Sequence, residues 1–359
     1  MTRITTLTLS VVLSLGALVA GLLVWVKIST YQPDVIEQAA LSCSSNAPEL
    51  PARTEFSVVS YNTQFFAGKR YVFYFDLPDN AGPDLHPRMA DVNQTLDAIA
   101  AELTLLDSDF VLLQEVHDGA SATGGVNQTD ELLKRLPQGL YPCVAEAFYW
   151  QADFIPHPKI LGSVGMKLVT LSKYKLDKAQ RHQLPQPPMD WLSQQFYLKR
   201  ALLETRVAGN AKLTLINTHF DAFAQGSDTM ARQVQKTVTR LQALDNDGQH
   251  WVLGGDLNLL MPGMKAGLKT SQHYLYANSS EIVPLLQWSS IPEPDQVAAN
   301  PVKWATHLPN DPDVNEADRS IDYLFYSHTL APQRSAILNH DAFLNLSDHF
   351  PVTATFLHK

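Results

Sequence analysis

Apolar positions fall into three patterns along this chain. The first is a continuous uncharged run from Ile4 to Val26. At a rise of about 1.5 Å per residue, a helix of that length crosses a hydrocarbon core of roughly 30 Å. The run predicts one N-terminal transmembrane helix, with Trp25 and Lys27 suited to the interface at its far end. A cleaved signal peptide is the alternative for residues 1–29. The run exceeds an ordinary signal core and no clear A-x-A site follows, so a single-pass anchor is expected. Arg3 and the amino terminus favour the inside, which places the body on the outer (periplasmic or extracellular) side.

The second pattern is a stripe of period three and four. Between Arg88 and Leu106 it runs through Met89, Val92, Leu96, Ile99, Leu103 and Leu106. It returns after Asp228 through Val234, Val238, Leu241 and Leu244, with Asp228 expected as the cap. A shorter helix at Leu132, Leu133 and Leu136 is closed by Pro137 and Gly139.

The third pattern is the short apolar run bounded by polar residues, which predicts strands. Such runs occur at Ser57–Tyr61, Phe110–Gln114, Phe196–Arg206, Leu213–Asn217, Trp251–Leu253, Tyr323–Tyr326 and Phe350–Phe356, with two more strands between Leu161 and Leu176. Gly209-Asn210 reads as a hairpin turn. Each long helix lies between two strands, once in each half of the body. Two such β-α-β layers with helices outside predict a four-layer α/β/β/α sandwich, an α/β fold. Residues 30–54, with Pro33, Pro48 and Pro51, read as a linker, and 55–359 as one domain. Segments 68–87, 145–160, 182–195 and 261–318 read as irregular. The aromatic insertion Tyr71–Phe75 suits a lip above a site, a lipid-touching surface or a hairpin packed on the core. Cys43 and Cys143 either pair in an oxidising compartment or are two unrelated thiols.

Chemistry gathers at the strand ends. After Trp251–Leu253 come Gly254 and Gly255, which let the backbone pass close to a neighbour, then Asp256 and Asn258. Alone, this could be a turn. The same arrangement recurs, with Asn62, Glu115, His219, Asp322 and the Asp348-His349 pair each at or near the end of a strand. Repetition predicts one rim where these groups meet. No Cys-x-x-Cys or His-x-x-x-His occurs, so zinc and iron are disfavoured. Glu115, Asn62 and Asp348 offer hard oxygen ligands suited to Mg²⁺, Mn²⁺ or Ca²⁺. His219 and His349 supply acid/base groups, and Asp322 could orient His349. No Gly-x-Ser-x-Gly, Walker or dinucleotide glycine pattern is present, which disfavours a covalent serine or nucleotide-driven mechanism. The net charge of −9, without a basic stripe, makes long nucleic acid a less favoured partner.

Taken together, Asn62, Gln114-Glu115, Thr218-His219, Gly255-Asp256-Leu257-Asn258, Ile321-Asp322-Tyr323 and Ser347-Asp348-His349 resemble the endonuclease/exonuclease/phosphatase superfamily. That group includes deoxyribonuclease I-like nucleases, sphingomyelinases and inositol polyphosphate phosphatases. The resemblance spans about residues 55–358. It implies Glu115 as metal ligand with Asn62 close by, and Asp348 supporting the metal or the water. It implies Asp256 on the attacking water and Asn258 on the phosphate. His349, oriented by Asp322, and His219 would handle protons and phosphate oxygens, with Arg200 as a further phosphate contact. His219 fits the deoxyribonuclease I-like and sphingomyelinase branches, where apurinic-site endonucleases carry Asn. His117 stands where nucleases often have Arg. The expectation is a membrane-tethered, monomeric, Mg²⁺-dependent phosphodiesterase acting on a phosphoester such as a lipid head group. A deoxyribonuclease I-like endonuclease is the alternative, and a catalytically silent binding protein a third.

Overall fold

The computed structural model describes residues 2–209 and 212–359. The chain opens with α1 (Thr2–Ser29), then β1 (Ile36–Gln38), β2 (Ala40–Cys43), β3 (Phe56–Asn62), α2 (Met89–Leu106), β4 (Phe110–His117) and α3 (Gln128–Arg135). Next come β5 (Cys143–Ile155), β6 (Gly162–Ser172), β7 (Leu176–Gln183), α4 (Trp191–Phe196), β8 (Ala201–Val207), β9 (Leu213–His219), α5 (Thr229–Asn246) and β10 (His250–Asp256). The chain closes with β11 (Ser289–Ile291), α6 (Pro294–Ala299), β12 (Asp322–Tyr326), β13 (Leu330–Ile337) and β14 (Val352–His358).

Two mixed sheets of seven strands form, in the orders β13-β14-β3-β4-β6-β5-β2 and β1-β7-β8-β9-β10-β12-β11. Each contains one parallel pair, β3 with β4 and β9 with β10, joined through α2 and α5. The stripes expected on those helices are buried, through Val92, Leu96, Ile99 and Leu103 on α2 and Val234, Val238, Leu241 and Leu244 on α5. Helices outside two stacked sheets fit the deoxyribonuclease I-like α/β sandwich.

The sheets touch at Gly254. A Cβ there would stand 2.7 Å from Leu112 Cδ1, 2.9 Å from Leu324 Cδ2 and 3.1 Å from Ser60 Cβ. Within its own sheet Gly255 passes β9 closer still, since a Cβ there would stand 2.0 Å from the carbonyl oxygen of Thr218. Glycine is what lets the central strand of one sheet lie on the other. A polar clamp adds direction. Gln114 Nε2 donates to Asn217 Oδ1 at 2.7 Å, and Asn217 Nδ2 donates to the carbonyls of Leu113 and Val169 at 2.9 Å. These two amides, at strand ends in the sequence, hold the sheets together and stay out of the site.

Several expectations are corrected. Residues 145–155 are not irregular: they belong to β5, the longest strand among the described residues. Its inner positions Cys143, Ala145, Ala147 and Tyr149 alternate with half-buried Val144, Phe148 and Trp150. Apolar residues on both faces hide the period of two. Residues 182–195 are partly ordered, because β7 runs to Gln183 and Asp190 caps α4, its Oδ1 accepting from the amides of Leu192 and Ser193. The strand expected from Phe196 therefore starts at Ala201. Asp228 precedes α5 without a side-chain capping bond. Residues 261–318 are mostly loops and short 3₁₀ turns, as expected, with β11 and α6 among them. Asn210 of the expected hairpin turn lies outside the described residues.

Residues 30–54 carry β1 and β2, which add an edge strand to each sheet. Cys43 and Cys143 form a disulfide across the β2–β5 pair. α1 contains a 22-residue segment, Thr8–Ser29, of mean hydropathy 2.5, long and apolar enough to cross a membrane. A signal sequence meets the same measure.

Candidate active site

Strand register brings the site together before any loop contributes. Asp256 ends β10 opposite His219 on β9 and opposite Asp322 on β12. On the other sheet Asn62 ends β3 opposite Gln114, the residue before Glu115. Glu115 sits in a bulge between the Leu113–Val169 and Val116–Lys167 pairs, with φ of 57°. A bulge re-aims one side chain at the end of a strand. A left-handed conformation at a non-glycine residue costs of order 1–3 kcal/mol and persists where its surroundings impose it. Asn258 is also left-handed, at φ of 50°, and its amide donates to Asp256 Oδ1 at 2.9 Å.

Asp256 is the hub. Its Oδ2 accepts from Asn62 Nδ2 at 3.0 Å and lies 3.3 Å from His219 Nε2 and 3.6 Å from His349 Nε2. Asn62 Nδ2 also reaches Glu115 Oε1 at 3.3 Å. Its Oδ1 accepts the amide of Gln64 at 3.0 Å, which turns the nitrogen towards the carboxylates. His349 Nδ1 pairs with Asp322 Oδ2 at 2.8 Å, and Thr306 Oγ1 accepts the amides of Ile321 and Asp322. Ser347 Oγ donates to the carbonyl of Asn62 and accepts the amide of His349, tying the loop before β14 to the end of β3.

These groups floor a cleft of about 870 Å³. All the expected site residues line it except Asn62 and Asp322, which reach the others from behind. Arg200 is 2% exposed, its guanidinium 5.0 Å from the Tyr149 ring centre, and its Nε and Nη1 have no hydrogen-bond partner within the protein. Buried donors are normally paired, so an unsatisfied guanidinium on a cleft wall is suited to an anion.

Burial pushes the Asp256 and Asp322 carboxyls up, with His349 pulling the other way. Burial opposes charging His349, but Asp322, Asp256 and Asp348 outweigh it and hold the imidazole well above its ordinary value. His219 goes well below, through burial and then Arg200 and His349. The two imidazoles are thus driven apart, one charged and one neutral at neutral pH. Burial and then Asp348 raise Glu115 to about 6. Burial would raise Asp348 too, yet His349 and His307 bring it down to about 2.

Glu115, Asp256, Asp322 and Asp348, with Asp76 behind them, face His349, Arg200 and Lys69 as cationic neighbours. A hard divalent cation fits that excess of buried carboxylate. His307, Asp348 and His349 bring ligand atoms within 4.8 Å of one another, as do Asp256, Asp322 and His349. Both sets include His349, whose Nδ1 is already engaged by Asp322.

Asp76 and Asn310 were not foreseen. Asn310 Nδ2 bridges Asp76 Oδ2 at 3.1 Å and Asp348 Oδ2 at 3.3 Å, and burial followed by Asp348 raises Asp76 to about 7. Both come from irregular segments without a sequence signal. Tyr149, whose hydroxyl lies 3.3 Å from His219 Nδ1, sits on the strand that alternation concealed. His117 is buried instead, stacked 4.8 Å from Phe65. The insertion at 68–87 both packs and lines: Phe73 is buried against Phe65, while Phe75 and Asp76 reach the cleft.

The sequence pattern of the Endonuclease/Exonuclease/phosphatase family matches residues 59–349, from β3 to His349. The chain belongs to this family. Among solved structures, an endonuclease/exonuclease/phosphatase from Beutenbergia cavernae DSM 12333 aligns with a TM-score of 0.55 at 18% identity, covering 85% of this chain and 72% of that one. The human Nocturnin catalytic domain with bound sulfate anion aligns at 0.53 and 13% identity, covering 90% and 97%. Humanized D. rerio TDP2 aligns at 0.52 and 14%, covering 84% and 98%. At these identities the likeness concerns the fold. No curated protein matches the sequence. The endonuclease/exonuclease/phosphatase family comprises metal-dependent phosphoester hydrolases, and this chain carries its fold with a cleft of carboxylates and imidazoles at the expected rim.

Proposed function

We propose that this protein is a divalent-metal-dependent phosphodiesterase that hydrolyses its substrate by in-line attack of water, with a lipid head group as the favoured phosphoester. The observation that carries the reading is the pairing of opposites in one cleft. Asp256 stands beside a charged His349, and the Arg200 guanidinium has donors to spare.

Asp256 holds the attacking water through Oδ2 and takes its proton as the new P–O bond forms. His349 Nε2, charged and fixed by Asp322, donates towards the phosphate and the leaving oxygen. Neutral His219 and the side-chain amide of Asn258 fix the non-bridging oxygens, and Arg200 offsets their charge. Glu115, with Asp348, would hold Mg²⁺, Mn²⁺ or Ca²⁺, which when bound neutralises charge on the phosphoryl and leaving oxygens. Asn62, expected as a ligand, has its nitrogen on Glu115 and Asp256, so its part in this reading is to position both carboxylates.

The apolar helix α1, the acidic chain and the aromatic residues at the cleft favour a lipid substrate on the outer side of a membrane. A deoxyribonuclease I-like endonuclease is the second reading, favoured by the likeness to D. rerio TDP2 complexed with single strand DNA product (TM-score 0.50, 15% identity). The intact constellation speaks against a silent binding protein.

A panel of phosphodiesters and phosphomonoesters under several divalent ions, with wild type and Asp256→Ala, tests the reading. Metal-dependent hydrolysis abolished by EDTA and by Asp256→Ala is expected. Phosphocholine release against plasmid nicking separates the two substrates. Hydrolysis that survives Asp256→Ala, or none across the panel, overturns the proposal.

A further inference from the structure

The apolar helix joins the sandwich at the end that carries Glu115. β4 runs towards Glu115, and β5 runs the same way two strands across, with Trp150 opposite Met166 and Met166 opposite His117. Thr30, one residue past α1, bridges to Ala152, two residues beyond that level, and the amide of Tyr31 donates to the carbonyl of Gln151 at 3.0 Å. Val26, Ser29 and Thr30 are buried, whereas Thr8–Trp25 stand exposed. The base of α1 is thus packed on the body, with no free tether between them.

Exposed apolar side chains gather around this junction. Leu161, at the tip of the β5–β6 hairpin, is 63% exposed, and Trp191 and Leu192 on α4 are each 49% exposed. α4 is held there by Trp150 Nε1 donating to the carbonyl of Phe196 at 2.8 Å and by Gln32 Nε2 donating to Gln195 Oε1 at 2.9 Å. The hairpin in turn meets the lip of the cleft, since His157 lies 6.2 Å from the Tyr74 ring and Tyr74 lies 5.1 Å from Phe75. Phe75 and Phe223 line the cleft and are themselves exposed. Four separate segments therefore present apolar side chains at the end of the sandwich where α1 departs.

We propose that this end of the sandwich is laid against the lipid bilayer that receives α1, with Leu161, Trp191 and Leu192 seated in its interface and the cleft opening beside it. An exposed apolar collar next to the base of a membrane-length helix is matched by a lipid surface. Trp and Leu at such a level suit the boundary between head groups and acyl chains. Burial of Thr30 and Ser29 makes the arrangement rigid, so that the cleft stays at one height above the bilayer. The inference rests on the phosphodiesterase reading only for its consequence, that the phosphoester is presented at the membrane surface.

The test uses the full chain in phosphatidylcholine nanodiscs, with an environment-sensitive fluorophore placed singly by Leu161→Cys, Leu192→Cys and Leu105→Cys. Leu105 is exposed near the end of α2, which leads into the start of β4 at the opposite end. Blue-shifted emission, quenched by lipid-borne and spared by aqueous quenchers, is expected at 161 and 192, with 105 fully aqueous. Emission at 161 and 192 as aqueous as at 105 overturns the proposal. So does protection of the two positions that persists in detergent only as the chain self-associates, which would mark an interface between copies. Release of the body from the nanodisc by processing before Thr30 overturns it as well. Hydrolysis of a soluble aryl phosphodiester is followed on the same samples. Its absence would remove the phosphodiesterase reading while leaving the depth result to stand by itself.

Discussion

His349 Nδ1 lies 2.8 Å from Asp322 Oδ2, a contact between the loop before β14 and the first residue of β12. The pair fixes both the orientation and the charge of the imidazole that faces Asp256. Asp322→Asn should lower kcat by about 10²–10⁴-fold while leaving the thermal midpoint within a few degrees, by analogy with other carboxylate-oriented imidazoles. The sign of the pH effect follows. Asp322 holds His349 protonated, so its loss lowers the imidazole pKa and moves the alkaline limb of the kcat profile to lower pH. An unchanged profile would remove His349 from proton handling.

Arg200 is a group the fold tolerates at a cost. Its Nε and Nη1 lack partners although the residue is buried over Tyr149. Arg200→Met keeps the length and removes two unpartnered donors, together with a cation that offsets Glu115. These effects on stability oppose each other, so chemical denaturation should show little change. Steady-state assays should show kcat/KM lower by about 10²–10³-fold, and weaker inhibition by inorganic phosphate. Retained activity would assign the guanidinium to structure alone.

Burial, and then Asp348, push the Glu115 carboxyl up to about 6. A cation binds the ionised form and must displace the proton below that pH. Mn²⁺ affinity measured by calorimetry should be flat above about pH 7 and fall about tenfold per unit below about pH 6. Glu115→Gln should weaken binding and flatten this dependence. A wild-type affinity independent of pH in that range would move the metal away from Glu115.

The Cys43–Cys143 disulfide closes a loop with a sequence separation of 100 residues and ties β2 to the end of β5 far from the site. Denaturation under reducing conditions should show a loss of about 2–4 kcal/mol in unfolding free energy. Activity under native conditions should be kept, because the bridge lies at the end of β5 that begins the strand. Identical denaturation curves with and without reductant would mean the bond does not form in solution.

Much of the fold was legible because its signals are local. The stripes on α2 and α5 and the apolar runs of β3, β4, β9, β10 and β12 each record their own burial in their own period. β5 was not legible, because it is apolar on both faces, and neither was α4, six residues long. The short strands β1 and β2 exist through pairing with β7 and β5, and no residue within 30–54 announces a partner so distant in sequence.

The sequence by itself determined which chemical groups are available: a carboxylate, amide or imidazole at each of several strand ends, and a family pattern from β3 to His349. Tertiary structure decided which atoms meet. It set Asp256 between His219 and His349, turned the Asn62 nitrogen to the carboxylates and left Nε and Nη1 of Arg200 without hydrogen-bond partners. It also seated the base of α1 against Ala152 of β5. The physical reason is range. Periodicity reflects each residue's own contact with solvent, whereas a charge state or an orientation depends on neighbours that only the folded register brings within a few ångströms.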